Sequence, residues 1–166
     1  YSDDHVTLSG DGARFDADTA YLGKNSQTID YNIVADHFGK KTESLITVNG
    51  ALTDSAKKVF RGTIDFKKGS ADSVGSENET VLMLGDDVVN KTVPLILCAE
   101  ENVEGTHGAT IGELDADTMF YFESRGIDRE TAEKIMAYAA VERLIHMAED
   151  SEFAAEVEKD MGIKAD

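Results

Sequence analysis

The sequence predicts a β body followed by an all-helical C-terminal cap. Two observations carry this prediction. Short β-branched or alternating runs, separated by turn residues, recur up to about Gly112, and beyond it the apolar pattern takes a helical period. The change divides the 166-residue chain into residues 1–112 and residues 113–166.

The runs are His5–Ser9, Thr28–Val34, Ser44–Val48, Val59–Phe66, Thr80–Leu84 and Thr92–Cys98. In the fourth, Phe60, Ile64 and Phe66 share one face while Arg61, Thr63 and Asp65 share the other, the period of a half-buried strand. Turn chemistry separates the runs in GDGA, GKNS, HFGKK, NGAL, KKGSADS and LGDD. Asn49-Gly50 reads as a two-residue hairpin. Strands joined by turns rather than helices suit an antiparallel sandwich or a parallel β-helix, and periodicity alone does not choose between them.

In the second part, Asp115 is an N-cap for a helix through Phe120 to Ser124, with Gly126 as its left-handed stop. Asp128 caps a longer helix to about Glu149, and the stripe Met136, Ala139, Ala140, Leu144, Met147 and Ala148 predicts its buried face. A short helix from Ser151 to Met161 offers Phe153, Val157 and Met161, and Gly162 ends it.

Apolar residues make up 41% and charged residues 30%, as in an ordinary globular domain, but the formal net charge is −17. That charge argues against nucleic acid and against anionic membrane surfaces. Lys57, Lys58, Arg61, Lys67 and Lys68, interrupted by Asp65, read as a solvated strand face. One cysteine forms no internal disulfide, and no apolar stretch is long enough to span a bilayer. The chain opens at Tyr1 without a signal-peptide pattern, so the expectation is a cytoplasmic piece of a longer protein.

Enzyme templates find no match. The sequence has no Gly-rich loop ending in Lys-Ser or Lys-Thr, no Cys-x-x-Cys, no His-Glu-x-x-His and no Gly-x-Ser-x-Gly. Asp86-Asp87 would serve a polysaccharide-active β-helix enzyme as paired carboxylates, but adjacent residues on a strand point to opposite faces and at a turn they satisfy backbone amides. Cys98 and His107, nine residues apart, are the ligand candidates, since a thiolate and an imidazole suit zinc or iron. Two ligands are too few for a closed site. At the end of VPLILC, Cys98 also reads as a small buried hydrophobe, and His107, between Gly105-Thr106 and Gly108-Ala109, as a turn cap. His5, His37 and His146 have no such setting; His37, in DHFG, reads as a turn residue.

The string HGATIGELDADTMFYFESRGID resembles the SufB/SufD family, the scaffold subunits of the SUF iron–sulfur cluster assembly system. The shared pieces are His-Gly-Ala at 107–109, Gly112, Leu114-Asp115, Phe120-Tyr121 and Ser124-Arg125-Gly126-Ile127. The resemblance implies a right-handed parallel β-helix with a C-terminal α-helical region. It implies pairing with a SufB-type subunit or with itself through the β-helix, and docking of a SufC-type ABC ATPase on the helices. It also implies a transient iron–sulfur cluster completed by a partner subunit. His107 matches the histidine implicated as a cluster ligand in the SufD branch, and Glu79 stands near the place of the essential SufB cysteine, so the chain is the more SufD-like. Cys98 matches no family ligand and is a second, weaker candidate. The docking candidates are Arg125, Phe120 and Tyr121; the two aromatics are expected to pack inward, leaving Arg125 exposed. The implied role is a non-catalytic scaffold, against a purely structural dimerisation module with no metal role.

Overall fold

The structure is a computed structural model that describes residues 1–161. Eight strands come first: β1 (Ser2–Leu8), β2 (Arg14–Gly23), β3 (Thr28–His37), β4 (Glu43–Thr53), β5 (Lys57–Phe66), β6 (Ser73–Leu84), β7 (Val89–Cys98) and β8 (Val103–Glu113). Odd strands form one sheet in the order β1-β3-β5-β7, even strands a second in the order β2-β4-β6-β8. Every pairing is parallel. Consecutive strands therefore alternate between two walls, and four coils stack into a β-helix. Parallel pairing removes the antiparallel sandwich.

Stacking in register sets the interior. Tyr31 pairs with Phe60 and Phe60 with Thr92; Ala35 pairs with Ile64 and Ile64 with Ile96. Strand side chains alternate in direction, so each inward position lies over another inward position one coil away. The buried centre is Ile33, Ala35, Ile46, Val48, Leu52, Phe60, Ile64, Phe66 and Val81. The expected alternation in β5 is present, with Phe60, Ile64 and Phe66 buried and Arg61, Thr63 and Asp65 on the other face.

Asn49-Gly50 is not a hairpin. Both lie inside β4, and Gly50 is there because Tyr21 packs over it: a Cβ at 50 would meet the Tyr21 ring at 2.5 Å. The other predicted turns fall between strands. Asn25 and Asp54 occupy matching corners with φ of 55° and 57°, and the Asn25 amide donates to Asp54 Oδ2 at 2.7 Å. Asn tolerates this left-handed backbone better than most residues, and Asp shares that tolerance. Two strands lay outside the predicted runs, β2 and β8.

Three helices follow: α1 (Ala116–Glu123), α2 (Arg129–Met147) and α3 (Ser151–Asp160). Asp115 accepts from the Thr118 amide at 2.7 Å and Asp128 from the Thr131 amide at 2.8 Å, the expected N-caps. Gly126 has φ 78°, as a left-handed stop requires. The expected helix end at Gly162 lies outside the described residues. The buried face of α2 is turned from the predicted stripe. Ala132, Ala137, Val141 and Ile145 are buried, whereas Ala139, Met147 and Ala148 are exposed and Met136, Ala140 and Leu144 flank the contact. Helix α2 lies on the outer faces of β2 and β4, where small Ala132 and Ala137 allow close approach to a flat sheet. Ala51, Leu84, Ala137 and Met161 form this second core, and an Arg143–Asp18 ion pair clips the helix to β2.

Gly50→Ala should cost about 1–3 kcal/mol by overpacking against Tyr21, read as a lower urea midpoint. Gly112→Ala, where a Cβ meets open space, should change stability by less than about 0.5 kcal/mol.

Candidate functional site

The last coil, β7 with β8, has a coil on one side only. Its inward residues are covered from one side: Ile96 and Val103 still pack on the core, while Cys98, His107, Ala109 and Ile111 are exposed. His107 stands mid-strand in β8 rather than at a turn, one coil above Glu77. Cys98 ends β7 on the opposite sheet, above Phe66. It is exposed, against the expectation of a buried hydrophobe. The reason is its place in the last coil, where no further strand among the described residues covers it. Among the described residues no group of three His, Cys, Asp or Glu side chains is arranged to hold a metal ion.

Beneath this surface the interior turns polar. Lys58 shares the inward parity of Phe60 and is fully buried, so it does not belong to a solvated strand face. Its ammonium donates to Glu79 Oε1, and the Thr92 hydroxyl donates to Glu79 Oε2. Desolvation pushes the Lys58 pKa down, opposed by the hydrogen bond and charge of Glu79. Glu77, two residues from Glu79 on the same face, is buried with Oε2 lacking a partner. Burial, then the charge of Glu79, push its pKa up to about 7, with Lys58 acting against them. Gly62 faces it across the interior, and a Cβ there would collide with the carboxylate.

A second buried network corrects the reading of His37 as a turn residue. At the end of β3 its Nδ1 lies 2.7 Å from Thr42 Oγ1 and its Nε2 2.9 Å from Ser44 Oγ, while its ring packs on Phe66 at 4.7 Å. Desolvation lowers its pKa, which favours the neutral ring in the core.

Of the docking candidates, Phe120 and Tyr121 do not pack inward; they are 72% and 54% exposed. Helix α1 is a single short element whose buried side chain is Met119, with Phe122 partly covered, so Phe120 and Tyr121 face out. The Arg125 guanidinium stacks over the Tyr121 ring at 3.6 Å and donates to the Tyr121 carbonyl at 3.4 Å. Arg125 and Tyr121 thus form one exposed cation–aromatic pair, and Phe120 is exposed on the same helix. No helix among the described residues is long and apolar enough to cross a membrane.

The fold class is a parallel β-helix with a C-terminal α-helical appendage. The family described as "SUF system FeS cluster assembly, SufBD core domain" matches residues 1–140. The chain belongs to this SufBD core family. It is 32% identical over 137 residues to the iron-sulfur cluster assembly protein SufD of Bacillus subtilis, covering 82% of this chain and 31% of that protein. It is 28% identical over 159 residues to the chloroplastic SufBD family protein ABCI8 of Arabidopsis thaliana, covering 96% of this chain and 28% of that one. Against SufD of Escherichia coli it is 28% identical over 99 residues, 60% of this chain and 23% of that protein. The chain thus spans less than a third of the length of these relatives.

The raised Glu77 pKa makes stability depend on pH. Its folded value, about 7, exceeds the ordinary 4.5, so the folded state binds the proton more tightly than the unfolded chain. The contribution is complete below pH 4.5 and is lost as pH rises through about 7. The loss amounts to about 3 kcal/mol. Glu77→Gln should flatten this part of a stability profile measured by urea unfolding; an unchanged slope would contradict the assignment.

Proposed function

We propose that this chain is part of a scaffold subunit for iron–sulfur cluster assembly, on which a nascent cluster is held as cargo. His107 supports this reading best: an exposed imidazole on the inward face of the uncovered last coil. An imidazole nitrogen and a thiolate are both known cluster ligands, so His107 is one ligand and Cys98 the second candidate. Two donors leave the site incomplete, and the remaining ligands come from a SufB-type subunit or a second copy of this chain.

The pairing surface is the end of the β-helix. Strands β7 and β8 each pair on one side only among the described residues, and an unpaired edge is a template for another strand. Val93, Leu95 and Leu97 add an exposed apolar stripe on the outer face of β7. Glu79, near the position of the SufB cysteine, is engaged by Lys58 and Thr92, which favours the SufD-like role. The subunit is a scaffold rather than a catalyst. A SufC-type ABC ATPase supplies the nucleotide site and docks on the helices, with Phe120, Tyr121 and Arg125 as its contact. The relatives' names carry this assignment to cluster assembly, and the net charge of −17 agrees with a protein partner rather than nucleic acid. The cytoplasm is its proposed compartment.

His107→Ala, in the complete complex reconstituted anaerobically with iron and sulfide, should lower cluster content several-fold while leaving the melting profile intact. Unchanged iron and sulfide would remove His107 as a ligand. For docking, Phe120→Ala should weaken ATPase binding by about 2 kcal/mol, as for an aromatic anchor at the centre of an interface. Isothermal titration of the complex checks this, and wild-type affinity would place the ATPase elsewhere.

A further inference from the structure

The third coil buries a carboxylate that the fold has no evident use for. In the column of Glu77 the earlier coils hold Ala17 and Ile46, and the last coil holds His107. Glu79 is fully engaged, one oxygen by Lys58 and the other by Thr92. Lys58 is thereby satisfied as well. Glu77 is left over: it is 1% exposed, and its Oε2 is buried with no donor. An unpaired buried polar atom is costly and rare in folded proteins, and Gly62 keeps open the space that this one occupies. Glu77 also lies in the third of four coils, one strand from the sheet edge at β8.

We propose that Glu77 is an oxygen ligand that acts with His107 to hold a divalent iron ion at the open coil, before any cluster forms. The inference rests on the reading of His107 as a cargo ligand and adds a residue and a metal state to it. Neighbouring strands run about 4.8 Å apart, so side chains in one column can share an ion at ordinary ligand distances of about 2.1 Å. A carboxylate with an imidazole suits ferrous iron, whereas the thiol alone would favour softer metals. The ion's charge also gives the buried carboxylate the partner it lacks. Two protein donors leave open positions, filled by water or by the partner subunit.

The test uses the whole chain with Co(II) as the probe, in excess Mg(II) to mask surface carboxylates. Glu77→Gln keeps the side-chain shape, and circular dichroism checks its fold. Glu77→Gln and His107→Ala should each weaken Co(II) binding about tenfold, the lower end of what loss of a metal-site group costs. In the wild-type chain, paramagnetic NMR shifts should appear at Gly62, Glu77 and Ala109. If Glu77→Gln binds Co(II) like wild type while His107→Ala does not, the Glu77 claim is overturned and the His107 reading stands. If neither variant weakens binding, both are overturned. Should Glu77→Gln fail to fold, the wild-type shifts decide: none at Gly62 and Glu77 overturns the proposal.

Discussion

Everything in this structure depends on the register in which the coils stack. Parallel pairing places each inward residue over another inward residue, so one chain position determines the neighbour of a position about 30 residues away. Slipping one strand by a single residue would turn its whole apolar set outward. This constraint builds the Phe60 and Ile64 columns. It also puts Glu77 under His107 and makes the last coil an uncovered face.

The same constraint explains how the interior combines packing with charge. The earlier coils place Ala17 and Ile46 in the Glu77 column and Thr19 and Val48 in the Glu79 column, and the third coil turns to carboxylates. Buried charge is tolerated where each group finds a partner, and Lys58, Glu79 and Thr92 meet that condition. Glu77 does not, and it lies next to an end coil, one strand from the sheet edge at β8. The buried carboxylates of the core therefore lie in the coil next to the end where the SufBD family member is proposed to carry its cargo.

Much of this was readable in the sequence. The helix caps at Asp115 and Asp128 and the corners at Asn25 and Asp54 announce themselves by residue type, because capping and left-handed backbone are local matters. Strand β2 is hidden in the sequence although Phe15, Ala17, Thr19 and Tyr21 alternate, because Asp16 and Asp18 mask the run. Strand β8 is hidden because three glycines interrupt its alternation. For Lys58 and His37 residue type points to the surface, whereas their parity with Phe60 and with Ile33 and Ala35 places them in the core. Gly50 looked like a turn because Tyr21, its reason for being there, is 29 residues away. The exposure of Cys98 and Phe120 depends on what fails to cover them, which no local pattern encodes.

The most direct measurement is of the strand register at the open coil, by nuclear Overhauser contacts in the isotopically labelled chain. The account predicts backbone contacts joining Glu77 to His107, Gly75 to Gly105 and Glu79 to Ala109. Contacts from His107 to Ser76 or Asn78 as its direct partner would mean a one-residue slip, would turn the imidazole away from the Glu77 column, and would contradict the account.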